Sequence, residues 1–304
     1  MPSDVRLRYL FESAQLGTMR AASEKLDVAT SSVSRQISEL EQELGLALIE
    51  KGRRRIRLTE AGEAACQYYR EKMAQEEVFL SRIKEMKSIR TGRISLAVGE
   101  AFVTQPFSDL LDAFMQRYPG MEVQVQVANT TRVVERVRED EAHMGLIFDI
   151  PREPKVRARL VIPQPLKVIV NSSHALSERR LINLRDIESE SLGLADEGYR
   201  IRQLIHAAEQ EDGVFLEASL QTNSLTLLMD YVKSGRGISV LPELVVREEL
   251  RAGTLRALDT DNATLNSTKT SLVTRVGRQL PVGAYRLLVS LESFLKSTDG
   301  VIEV

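Results

Sequence analysis

Two sets of polar residues carry the chemistry legible in this chain. The first is Thr30, Ser31, Ser34 and Arg35, clustered at the start of a segment with apolar periodicity. Short hydroxyls reach phosphate oxygens or base edges, and a guanidinium can grip O6 and N7 of guanine with two bonds. Shortly after, five of the seven residues from Lys51 to Arg57 are basic, Lys51, Arg53, Arg54 and Arg55 among them. Such a run suits a sugar-phosphate backbone. Either feature alone is more often a helix cap or a solvated face, so the reading depends on the elements that hold them.

Those elements follow from spacing. Leu7, Leu10, Phe11 and Ala14 recur at i, i+3, i+4 and i+7, predicting a helix that Gly17 ends. Thr18 is placed to cap a second helix lined by Met19, Ala22 and Leu26. Asp27-Val28-Ala29 makes the turn, and a third helix buries Val33, Ile37, Leu40 and Leu44 while presenting Thr30, Ser31, Ser34 and Arg35. Leu46 to Ile49 and Ile56 to Leu58 can pair across Gly52-Arg53-Arg54 as a basic hairpin. Two helices at a tight turn beside such a wing form a winged helix-turn-helix, which sets one helix in the major groove of double-stranded DNA. From Thr59 to about Lys87 a single long helix is predicted, with Ala65, Tyr69, Met73, Leu80 and Ile83 as an apolar stripe. A small domain cannot cover that stripe, so the same helix of a second chain is its natural partner.

Beyond Thr91-Gly92 the periodicity changes. Arg93 to Val98, Met121 to Ala128 and Met144 to Phe148 read as strands, with a helix from Gly99 to Tyr118 and another over Thr130–Asp140. That β-α-β-α-β order implies a parallel sheet with helices on both faces. Leu166 to Val170, Leu192 to Leu194 and Ile238 to Pro242 continue it, with helices over 200–210 and 225–233 and a tight turn at Gly235-Arg236-Gly237. Polar residues at strand ends are the second set: Glu100, Thr104, Asn129, Thr130, Thr131, Asp149, Thr222 and Asn223. The carboxylates Glu100 and Asp149 favour an effector bearing an amine or several hydroxyls.

The first 62 residues resemble the DNA-binding domain of LysR-type transcriptional regulators. The resemblance rests on Gly17, Thr18, Ala21, Ala22, Val33, Ser34, Ile37, Leu40, Glu41, Leu44, Gly45, Leu58, Thr59, Ala61 and Gly62. Ala29, Ser32, Ile49 and Lys51 depart from the family pattern, and loss of serine at position 29 moves the helix cap to Thr30. The Gly235-x-Gly237-Ile238-x-x-Leu241-Pro242 and Phe114…Tyr118-Pro119 stretches resemble the family's effector domain. The resemblance implies a winged helix-turn-helix (1–59), a linker and dimerisation helix (60–90) and a periplasmic-binding-protein-like α/β effector domain (91–304). The last has two lobes, about 91–162 with 269–304 and about 163–268, joined by two crossing strands, with the effector between them. It further implies a homodimer or homotetramer on a pseudo-palindromic operator, with RNA polymerase a further candidate partner.

Bulk composition agrees. The 304 residues carry a net charge of −2, so DNA affinity must come from a local patch. Cys66 is the single cysteine, which excludes a disulfide framework. His143, His174 and His206 lack metal-ligand spacing, no G-x-S-x-G or Walker loop occurs, and Gly235-x-Gly237 lacks the third glycine of a dinucleotide site. No enzyme activity, metal or cofactor is expected. With no signal-peptide pattern or long apolar run, a cytoplasmic protein without membrane contact is expected. The rival readings are an architectural DNA binder and a ligand-binding protein without effector-linked regulation.

Overall fold

The computed structural model describes residues 3–50, 55–86, 91–150 and 153–298. The chain gathers into two compact units, residues 1–81 and 82–304. In the first, α1 (Asp4–Leu16), α2 (Met19–Leu26) and α3 (Thr30–Leu44) precede the long α4 (Glu60–Met86). Gly17 and Gly45 end α1 and α3 at φ of 76° and 68°, where a Cβ would be strained. Leu7, Leu10, Val33, Ile37, Leu40 and Leu48 close over Cys66 and Tyr69 of α4 as one apolar core. Cys66 is packed there as a small apolar group.

Motif residues tie this core together. Glu41 of α3 accepts the backbone N–H of Leu48 at 2.8 Å and of Ile49 at 3.3 Å. Thr59 donates to the Ala47 carbonyl (2.6 Å) and accepts from Gly62 N, capping α4. Gly62 lies so close to the extended segment before Ile49 that a Cβ would stand 2.1 Å from the Leu48 carbonyl oxygen. Arg6 of α1 holds Glu39 and Glu43 of α3, each at 3.0 Å.

Several expectations change. The cap does not move to Thr30: Ala29 keeps the N-cap position without a side-chain acceptor, and Thr30 opens the helix with Oγ1 2.8 Å from Ser23 Oγ. Leu44 is exposed rather than buried, because the last turn of α3 runs past the core. The wing is a minimal ladder among the described residues, one Ile49–Leu58 bridge extended by Glu50 N to Arg57 O at 2.9 Å. Lys51, Gly52, Arg53 and Arg54 lie outside the described residues. On α4 the buried stripe is Ala65, Cys66, Tyr69, Ala74 and Val78, while Met73, Phe79 and Leu80 are exposed.

The second unit runs β1 (Gly92–Val98), α5 (Gln105–Arg117), β2 (Met121–Val127), α6 (Thr130–Arg138), β3 (Met144–Phe148), β4 (Val156–Pro163), β5 (Leu166–Asn171), β6 (Leu181–Ile182), β7 (Leu192–Ala195), α7 (Arg200–Asp212), β8 (Ala218–Thr222) and α8 (Leu225–Lys233). It ends with β9 (Ile238–Pro242), α9 (Arg247–Ala252), β10 (Leu255–Thr260), α10 (Ala263–Asn266), β11 (Lys269–Arg275) and α11 (Val282–Thr298). The helix expected from Gly99 begins at Gln105 instead. A short 3-10 turn at Glu100–Phe102 and an extended Thr104 precede it, with Pro106 in its first turn.

Among the described residues the strands form two sheets, ordered β2-β1-β3-β11-β4 and β6-β10-β5-β9-β7-β8. Neither is purely parallel: β11 returns antiparallel to β3 and β4, and β5 is antiparallel to β9 and β10. The mixture arises because the chain crosses between sheets twice, at β4 to β5 and from β10 through α10 to β11. Where the crossings meet, Gln164 N donates to the Thr268 carbonyl (2.9 Å) and Thr268 Oγ1 to the Gln164 carbonyl (2.5 Å), both residues buried. The sheets thus define two lobes with largely distinct apolar cores, Ala101 and Phe148 of lobe I packing into the core of lobe II. In lobe I, half-buried Asp140 pairs with Arg275 (2.9 Å) and Arg278 (2.8 Å), fastening the end of α6 to the exit of β11.

Substituting Gly62→Ala drives a methyl into backbone that cannot retreat. It should destabilise the first unit by about 1–3 kcal/mol, the usual cost of overpacking. A urea denaturation midpoint unchanged from wild type would contradict the close approach.

Candidate nucleic-acid interface and ligand cleft

Burial of Val33, Ile37 and Leu40 turns the opposite face of α3 outward, and Thr30, Ser31, Ser34 and Arg35 are all exposed there. Ser31 and Ser34 make no side-chain hydrogen bond to another described residue. Thr30 differs, since its hydroxyl is bonded to Ser23 of α2 and helps set the turn between the helices. Arg35 Nε donates to Glu39 Oε1 at 2.9 Å. That bond is the chief reason the Glu39 carboxyl titrates below its ordinary value. An exposed i,i+4 pair is among the weakest of ion pairs, so it yields readily to a two-bond guanine contact. Arg55, at the described edge of the wing, is exposed.

Between the lobes of the second unit lies a hollow of about 30 Å³, open to solvent and lined by Glu100, Asn129, Thr130 and Phe148 of lobe I and Tyr199, Arg200 and Leu225 of lobe II. Strand-end geometry explains the lobe I set: Glu100 follows β1, Asn129 caps α6 through a bond from Arg132 N (2.9 Å), and Thr130 donates to the Phe148 carbonyl (3.1 Å). Thr131 is exposed beside them.

Both expected carboxylates are engaged across the cleft. Glu100 Oε1 accepts Leu225 N at 2.9 Å and Ser224 Oγ at 3.4 Å, and Oε2 lies 3.2 Å from the Tyr199 hydroxyl. Asp149, at φ 48°, accepts Arg200 Nε at 2.9 Å and Nη2 at 2.8 Å. Burial, and then the Glu100 carboxylate, push the Tyr199 phenol up to about 12. The Tyr199 hydroxyl also lies 2.6 Å from the Asn223 carbonyl oxygen.

The remaining candidates stand apart. Thr222 accepts from Ser224 N (3.2 Å), Asn223 contributes its carbonyl to Tyr199, and neither lines the cavity. Thr104 lines a different hollow of about 170 Å³ with Met229, Leu244 and Phe294. Tyr199, Arg200 and Ser224 escape the sequence reading. Tyr199 and Ser224 are helix N-caps and Arg200 is the first residue of α7, so none lies at the strand ends surveyed, although Gly198 just before Tyr199 is an available signal. The histidines serve the fold: His143 Nδ1 accepts from Ser95 N at 2.9 Å, His174 from Leu176 N at 3.2 Å, and His206 meets Glu209 at 3.0 Å.

Both halves of this arrangement match one family. The LysR substrate binding domain profile matches residues 88–294, and that of the bacterial regulatory helix-turn-helix protein, lysR family, matches residues 5–63. The chain belongs to the LysR family. It is a DNA-binding transcriptional regulator with an effector-binding domain. Similar proteins include the RuBisCO operon transcriptional regulator of Allochromatium vinosum, 27% identical over 290 residues and 95% of each chain. The transcriptional dual regulator GltC of Bacillus subtilis is 24% identical over 244 residues, 80% of this chain and 81% of GltC. These relatives are regulators rather than enzymes.

Among solved structures, a full-length OxyR variant from Pseudomonas aeruginosa superposes with a TM-score of 0.64 at 21% identity, covering 97% of this chain and 94% of that one. Full-length CbnR in complex with its target DNA superposes at 0.55 and 21%, covering 96% and 99%. The LysR fold therefore spans nearly the whole chain. No helix among its described residues is long and apolar enough to cross a membrane.

The raised Tyr199 phenol sets a pH dependence. Folded Tyr199 holds its proton above the ordinary phenol value of 10.0, so its contribution is fully present below that pH and is lost as pH rises toward about 12. The Tyr199→Phe variant should lose less stability than wild type over that interval in paired urea melts. Parallel losses would refute the assignment.

Proposed function

We propose that α3 enters the major groove, with Ser31, Ser34 and Arg35 facing base edges and phosphates, and that Lys51, Arg53, Arg54 and Arg55 clamp the neighbouring backbone. Thr30 takes a supporting part, its hydroxyl setting the α2–α3 turn. The observation that carries the reading is the division of α3, one face sealed in the core and the other bearing only short hydroxyls and an arginine at its first turns. CbnR, which shares the fold, is known in complex with its target DNA.

The same proposal assigns residues 1–59 to DNA binding, 60–90 to the linker and dimer, and 91–304 to the effector. Exposed Met73, Phe79 and Leu80 on α4 supply an apolar face for a second copy, giving a homodimer or tetramer on a pseudo-palindromic operator in the cytoplasm. The effector lies between the lobes, near Asn129, Thr130 and Thr131 at the start of α6. RNA polymerase is the partner through which such a regulator acts on transcription, and no catalysis is assigned. Closure or opening of the lobes alters subunit geometry and so the fit to DNA.

Gel-shift and footprinting on the promoter region beside the chain's own gene, with and without candidate metabolites, test this reading. Absence of DNA binding even at low salt would defeat it. Removing the Arg35 side chain (Arg35→Ala) should cost about 1–3 kcal/mol and relax base preference at one position. Arg55→Ala should weaken all duplexes alike and flatten the salt dependence. Identical behaviour of the two variants overturns the division into reader and clamp. Leu80→Asp should shift the protein toward monomer in analytical ultracentrifugation, and an unchanged oligomer would exclude this face of α4.

A further inference from the structure

Lobe I reaches into lobe II with its own anions, and both land at helix starts. Leu225 is the first residue of the nine-residue α8, and its N–H points at Glu100 Oε1 at 2.9 Å. Ser224, the N-cap, adds its hydroxyl at 3.4 Å, and Tyr199 adds a third from the start of α7. Backbone N–H, two hydroxyls and the positive end of a helix dipole together make a seat for a carboxylate. Arg200, the first residue of α7, holds Asp149 through its guanidinium rather than through backbone N–H groups. About 30 Å³ remains between these contacts, room for a water or two, on the side open to solvent.

We propose that Glu100 is a specificity-determining residue: it fills the carboxylate seat of the cleft with the protein's own side chain, holds the lobes together without a ligand, and excludes carboxylate effectors. The inference rests on the reading that the effector binds between the lobes. It assigns the effector to the neutral or amine-bearing class, engaging the α6 side of the cleft rather than the start of α8. A free carboxylate arriving at that seat would meet Glu100 already bonded to every donor there, and the two negative charges repel. With Glu100 truncated, Leu225 N and Ser224 Oγ are left without their acceptor, while Tyr199 keeps the Asn223 carbonyl at 2.6 Å, and a small carboxylate can replace the lost side chain.

The test uses the full-length protein, wild type and Glu100→Ser, with Glu100→Ala as the second variant. Thermal melts are recorded in sodium formate and sodium acetate against sodium chloride at equal ionic strength. Truncation should lower the melting temperature of the effector domain by roughly 2–6 °C. Formate or acetate should restore it saturably, while wild type melts identically in all three salts. A saturable acetate response in wild type overturns the proposal whether or not either variant folds, because the seat would then be open. Folded variants without any carboxylate response overturn it equally. Failure of the effector reading looks different: DNA binding that no metabolite alters, with the acetate response of the variants intact.

Discussion

Glu41 is the interaction on which the DNA-binding unit depends. One carboxylate oxygen near the end of α3 accepts two successive backbone N–H groups from the strand that starts the wing. Helix and wing are thereby set in one register, and bonds to a charged acceptor are stronger than neutral ones. Leu48, the strand residue so anchored, plugs the core between α3 and α4, and its carbonyl accepts from Thr59 N. Thr59 then caps α4, and Gly62 lets that helix pass against the strand. The motif residues at 41, 58, 59 and 62 are separated in sequence yet belong to one junction, whose product is an outward α3 face at a fixed offset from the wing.

The effector unit solves a different problem with the same means. Its lobes have largely distinct cores, joined where Ala101 and Phe148 of lobe I and Leu244 of lobe II pack across, and polar contacts add to that apolar seam. The Gln164–Thr268 pair fixes the crossing segments, Asp149 N bonds the neighbouring Lys269 carbonyl, and the Glu100 and Asp149 side chains reach the helix starts of the other lobe. These polar ties are exchangeable with small molecules or water in a way that the apolar cores are not. Dissimilar strengths suit a regulator, in which some contacts must survive the switch and others must give way.

Legibility in the sequence followed locality. Helices α1 to α3, the Thr18 cap and the glycine stops were readable because each signal lies within a turn of the residue it controls. The strand β3, wholly apolar over Met144–Phe148, was equally clear. Strands β4 and β8 were not, since their exposed edges and residues such as Arg157, Arg159, Ser219 and Gln221 resemble loop. Antiparallel β11 depends on a partner far away in sequence, which no local pattern reveals. In the cleft, Glu100 and Asp149 were legible as polar strand ends, but the groups opposing them were not: Tyr199 and Ser224 act with Glu100 only because two lobes meet. The cap position at Ala29 is not legible because Thr30 offers a hydroxyl one residue on, whereas that hydroxyl has a nearer partner in Ser23.

The reciprocal bonds between Gln164 and Thr268 have a mechanical meaning. Each backbone crosses once, and the bonds clamp the two crossings side by side, so the lobes share an axle rather than two independent tethers. Sliding or separation of the lobes would break buried polar contacts, while rotation about this line leaves them intact and concentrates the torsional change in a few residues. Were the lobes to turn about this line, a change in the cleft would be expressed as an angle, with the residues farthest from the axle travelling the greatest distance for each degree.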